Sequence, residues 1–110
     1  DFTENDAQML LFKESEELIN VNFSESIEKF KSTLQLNLNS SLAAAASLSI
    51  GYYYDQESLA DSALKYYRFT MDKYPNSEQS IIASERAEAI TFALSLIKPD
   101  SASSSGASAN

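Results

Sequence analysis

The sequence predicts an all-α domain of antiparallel helix pairs, about five helices stacked as a short solenoid, and three observations lead there. Only two Gly and two Pro interrupt 110 residues rich in Ala, Leu and Ser, a composition that favours uninterrupted helix. Apolar residues recur at helical spacing in successive segments bounded by Asn, Ser and Pro. Residues 23–46 also recur about 37 positions later, aligning Ser26 with Ala63, Phe30 with Tyr67 and Leu38 with Pro75; self-similarity at such a period is the mark of stacked helical repeats.

The first helix is predicted over residues 4–20, with Thr3 as its N-cap, Met9, Leu10, Leu11, Phe12, Leu18 and Ile19 as its apolar positions, and its acidic residues facing water. Ser24 opens a second helix to residue 36, in which Ile27, Phe30 and Leu34, with flanking Phe23, follow helical spacing. Asn37, Asn39 and Ser40 break the chain before a third helix over residues 41–54, where the alanine run from Ala43 to Ala46 favours helix and close neighbours. Gly51 lies inside that helix. Glycine there costs about 1 kcal/mol relative to alanine, so it predicts a crowded helix crossing that tolerates no side chain.

Residues 55–58 are predicted to turn. A fourth helix, residues 59–74, then buries Ala63, Tyr67 and Met71 with Leu64 beside them, and Pro75 ends it. Ser77 caps a fifth helix to residue 97 with Ile81, Ala87, Ile90, Leu94 and Ile97 inward, stopped by Pro99. The domain thus covers residues 1–98. Residues 99–110, rich in Ser and Ala and lacking apolar bulk, are expected to be a flexible tail without a site, the serines at 103–105 included.

Composition narrows function by exclusion. A formal net charge of -8 opposes the phosphate backbone that dominates nucleic-acid affinity, so Tyr66 and Tyr67 beside Lys65 and Arg68 are read as core and surface, not as a base-stacking platform. With neither Cys nor His, the chain alone builds no disulfide, Ser-His or Cys-His catalytic site or ordinary zinc site. Glu14, Glu16 and Glu17 read as a solvated helix face, not as a metal or acid/base cluster. No enzyme, metal or cofactor is expected. No apolar run suffices to span a bilayer, and the opening at Asp1, without Met or signal peptide, suggests a fragment or processed form.

The spacing of Gly51, Tyr54, Ala63, Tyr67 and Pro75, and the segment from Phe23 to Phe30, resemble the tetratricopeptide-repeat family. The period exceeds that family's usual 34 residues. With the turn Tyr74-Pro75-Asn76-Ser77 leading into an Ala-containing helix, it is similar to the longer variant of bacterial envelope proteins. The outer-membrane barrel-assembly lipoprotein and the periplasmic cell-division coordinator are of this type. The first helix departs from the pattern, with Glu14 and Glu17 where Gly and Tyr are usual, and Leu38 stands where the first pair's proline would be.

This resemblance implies a right-handed solenoid of two helix pairs and a capping fifth helix, packed through Phe30, Gly51, Tyr54, Ala63, Tyr67 and Pro75. It also implies a concave groove lined by the first helix of each pair. That groove would display Gln8, Leu11 and Ser15, then Ala45, Leu48, Tyr52 and Asp55, then Ile82, Glu85, Ala89 and Phe92. Tyr52 and Phe92 are either anchors for a partner or packing between repeats. The expected function is a protein-interaction scaffold that binds a peptide or partner helix in this groove, in a bacterial envelope assembly on the periplasmic side, with a cytoplasmic setting left open. The alternative is a self-assembly module with no separate ligand; neither involves nucleic acid or direct membrane insertion.

Overall fold

The computed structural model describes residues 1–97, which fold into five α-helices without a strand: α1 Glu4–Leu18, α2 Phe23–Leu36, α3 Ser41–Gln56, α4 Ala60–Lys73 and α5 Glu78–Ile97. The tail expected at residues 99–110, like the domain's last residue at 98, lies outside the described residues. Local sequence sets most helix starts. The Thr3 hydroxyl accepts from the Asp6 amide at 3.1 Å while the Asp6 carboxylate accepts from the Thr3 amide at 3.0 Å, a reciprocal capping box. These bonds hold the Asp6 carboxyl below its ordinary range. Ser40 caps α3 through the Ala43 amide, and Ser77 accepts from the Ser80 amide at the start of α5.

Several helix ends differ from expectation: α1 stops at Leu18, two residues before the expected 20, and α4 is one residue shorter at each end. The cap of α2 is Asn22, whose side chain accepts from the Glu25 amide at 3.0 Å, so Phe23 lies in the first turn and Ser24 is not the cap. Asn and Ser cap about equally well, and starting the helix at Phe23 lets its ring meet Tyr54 edge-on at 6.0 Å. The third helix runs two residues further than expected, to Gln56, before Ser58 reverses the chain with a left-handed φ of 61°. Asp55 therefore sits in a helix, not in the turn.

Each helix packs on the next, and α3 also touches α1 and α5. The first helices of the pairs, α1, α3 and α5, thus form one layer, with α2 and α4 behind it. The core divides into two clusters. Ile27, Phe30 and Leu34 of α2 pack with Ala43, Ala46 and Ile50 of α3. Ala63, Leu64 and Tyr67 of α4 pack with Ala83, Ala87 and Ile90 of α5. A shift of 37 positions carries Phe30 onto Tyr67, Ala46 onto Ala83 and Ile50 onto Ala87, so the internal repeat is a repeat of packing. Tyr54 touches both clusters, and the Tyr74 hydroxyl donates to the Leu38 carbonyl at 2.6 Å, tying the end of α4 to the turn after α2.

In the outermost helices several apolar side chains expected to face inward do not. In α1 the fully buried residues are Gln8 and Ser15, while Met9 and Leu10 are exposed. In α5, Ala83, Ala87 and Ile90 face inward but Ile81 and Ile97 are exposed. Met71 is only half-buried, and Thr70 holds the buried position in α4. The physical reason is common to both ends of the stack. A terminal helix has a neighbour on one side only, so apolar residues on its other side stay in water.

Candidate functional site

The crossing of α3 and α4 is built around Gly51. A Cβ at this position would lie 2.8 and 2.9 Å from Cδ1 and Cε1 of Tyr67 and 3.4 Å from the Ala63 carbonyl, so the Tyr67 ring occupies the space a side chain would need. The ring is held at its far end as well. Its hydroxyl donates to Oδ2 of Asp55 at 2.9 Å, and Arg86 of α5 donates to the same carboxylate through Nε at 2.9 Å and Nη2 at 3.2 Å. One carboxylate, 12% exposed, thereby joins α3, α4 and α5. Asp55, expected as a groove residue, is committed to this internal network.

Burial, then the bond to Asp55, push the Tyr67 phenol far above its ordinary range. A folded-state pKa above the unfolded value of about 10 means that the stabilisation is complete below that pH and declines as pH rises above it. The thermal midpoint should therefore fall above about pH 10, and Tyr67→Phe should make that fall shallower. An equally steep fall in the variant, measured by circular dichroism, would exclude Tyr67 as a contributor.

The α1–α2 crossing uses a different residue from the one its repeat alignment suggests. The Ser26 hydroxyl donates to the Ser15 carbonyl, and both serines are fully buried. Ser15 facing Ser26 thus corresponds to Gly51 facing Ala63, so α1 and α3 are related by 36 positions, whereas α2 and α4, like α3 and α5, are related by 37. This corrects the expected groove. Gln8 and Ser15 are interior, Leu11 is half-buried, and the α1 residues matching Ala45, Leu48 and Tyr52 are Met9, Phe12 and Glu16. Glu16 is near enough to Tyr53 for its charge, after burial, to raise that phenol.

Gln8 has a structural task that its polarity concealed. Its Nε2 donates to the carbonyls of Thr33 and Asn37 at 2.7 and 3.1 Å, and its Oε1 accepts from Ser40 at 2.7 Å. The last turn of α2 has no basic residue to meet its unpaired carbonyls. Gln8 closes that helix end from a neighbouring helix and fixes the start of α3. Helical spacing offered no signal for this, because the contact spans 25 to 32 residues.

The remaining groove candidates divide between two surfaces. Tyr52, 45% exposed, stands edge-on to Tyr53 and borders a cleft with Ile19, Asn20 and Phe23. Leu48 is half-buried against the α4–α5 cluster. Ile82, Glu85 and Ala89 are exposed on α5, and Phe92, 66% exposed, borders a separate cleft with Met71, Ser84 and Glu88. Tyr52 and Phe92 do not line one pocket. Of the packing candidates, Phe30, Gly51, Ala63 and Tyr67 are buried, Tyr54 is half-buried between the clusters, and Pro75 is exposed in the turn after α4.

Charge separates the two layers. The layer of α1, α3 and α5 carries nine acidic residues (five, one and three respectively) against Lys13 and Arg86, and Arg86 is bound to Asp55. The layer of α2 and α4 carries four acidic residues against Lys29, Lys31, Lys65, Arg68 and Lys73. Between α2 and α4 lies the largest of the clefts described, about 750 Å³, bordered by Leu34, Leu38, Tyr66 and Phe69 with Lys65, Arg68, Asp61 and Asp72 at its rim. Among the described residues no group of three or more acidic side chains converges as a metal site, and no helix is long and apolar enough to cross a membrane. No family model, curated protein or solved structure matches the chain.

Proposed function

We propose that this chain is a tetratricopeptide-like scaffold whose layer of first helices binds a segment of another protein, a role in binding and not in catalysis. The observation that carries the reading is Tyr52, a large amphipathic side chain held 45% exposed on the acidic layer while its neighbours Tyr53 and Tyr54 pack inward. Exposed aromatics on a rigid helix lose little entropy when covered and dominate interface energetics. The acidic layer favours a partner segment with basic residues. The same family resemblance supports a periplasmic setting in a bacterial envelope.

Capture of interacting proteins on immobilised chain, with Tyr52→Ala in parallel, tests this. The variant should lose capture while its thermal melt stays within about 0.5 kcal/mol of the parent; undiminished capture would remove Tyr52 from the site. Leu48→Ala is expected to lower the melt, because Leu48 packs on the α4–α5 cluster. Light scattering over a concentration series separates the alternative. A concentration-dependent oligomer would favour self-assembly, and a monomer throughout would count against it.

A further inference from the structure

The 37-residue register that superimposes the two core clusters also relates the far sides of α3 and α5. On α3 that side receives α4 through Ala44, Ser47 and Gly51, all buried, with Ser47 and Thr70 hydroxyls 2.8 Å apart and the Tyr67 ring over Gly51. On α5 the matching residues are Ile81, Ser84 and Glu88. Ile81 is 62% exposed, and Ser84 and Glu88 line an apolar cleft of about 460 Å³ with Met71, Ala87 and Phe92. The receiving surface is therefore present without an occupant helix among the described residues, and a carboxylate replaces the glycine at its crossing point.

We infer that this end face docks a basic amphipathic helix of a partner protein, with a Lys or Arg opposite Glu88 and apolar residues over Ile81, Met71 and Phe92. Charge decides the occupant. Glu88 makes no ion pair among the described residues, Glu85 is on the same helix, and the helix's one cation, Arg86, is held by Asp55. A second copy meeting this face in antiparallel fashion would bring Glu88 towards its own counterpart, between chains of net charge -8. Residues 98–110 contain no Leu, Ile, Val, Met or Phe with which to cover it. A helix docking here stands further off than α4 does from α3, because Glu88 fills the space that Gly51 leaves open.

The probe is a Leu/Lys amphipathic helical peptide of about 20 residues, with a Leu/Glu counterpart, titrated into the isotope-labelled chain and followed by amide NMR shifts. The Lys peptide should bind, with the largest shifts at Ser84, Glu88, Thr91 and Ser95. Glu88→Lys should weaken it by about tenfold or more and turn preference to the Glu peptide, whereas Glu25→Lys, an equal charge change on α2 in the opposite layer, should leave affinity nearly unchanged. The inference is overturned by shifts centred on Tyr52, by equal losses in the two variants, by self-association that Glu88→Lys abolishes, or by no binding of the Lys peptide.

Discussion

Gly51→Leu is expected to lower the thermal midpoint by roughly 12 °C or more, an overpacking cost of about 3 kcal/mol for a domain of this size. What already fills the site sets this cost. A bare Cβ would lie 2.8 Å from a Tyr67 ring carbon, and the ring cannot swing aside without breaking its hydroxyl bond to Asp55. Gly51→Ala separates the two opposing terms. Alanine gains about 1 kcal/mol of helix propensity, so its net loss should be smaller than that of leucine, and pairing it with Tyr67→Leu should recover part of the loss. An unchanged midpoint in Gly51→Leu, measured by circular dichroism, would show that α3 and α4 do not cross at this residue.

Phe30→Ala should cost about 3–5 kcal/mol, the range for truncating a fully buried aromatic. Phe30 has no exposed surface and joins three helices, meeting Phe12 of α1 edge-on at 5.7 Å and stacking on Tyr53 of α3 at 5.9 Å. Its removal therefore opens a cavity and breaks two aromatic pairs. Domains of this kind hold only about 5–15 kcal/mol, so denaturant titration should show a midpoint at a small fraction of the parent's or an unfolded population in buffer. Phe92→Ala, at a side chain 66% exposed, should stay within about 0.5 kcal/mol. Equal effects from the two would contradict the division between core and surface.

Much of the repeat could be read from spacing because its key residues are set by rules that act within one local unit and recur in the next. Phe30 and Tyr67, the caps Thr3 and Ser77, and the crossing at Gly51 each follow from a short-range rule applied at a fixed period. The α1 register could not be read this way. A serine serves at position 15 where the repeat suggests position 14, and nothing near it in the chain distinguishes the two until Ser26 is opposite. The candidate surface split for a related reason. Tyr52 and Phe92 share helical phase with expected groove residues, but Phe92 borders a cleft with Met71 at the uncovered end of the stack.

Composition and periodicity were sufficient for the all-helical fold of the described residues, its five helices and the equivalence of Phe30 and Tyr67 across the repeat, because helix propensity, capping and amphipathic spacing act over a few residues. They left open which polar residues are structural. Gln8 closing α2, Ser15 accepting from Ser26, and Asp55 binding both Tyr67 and Arg86 all depend on partners 11 to 32 positions away. A buried polar group is stable only where such a partner meets it, and the partner's position is a property of how the helices stack. The same stacking leaves Glu88 and Tyr52 in water, which is what makes them available to another molecule.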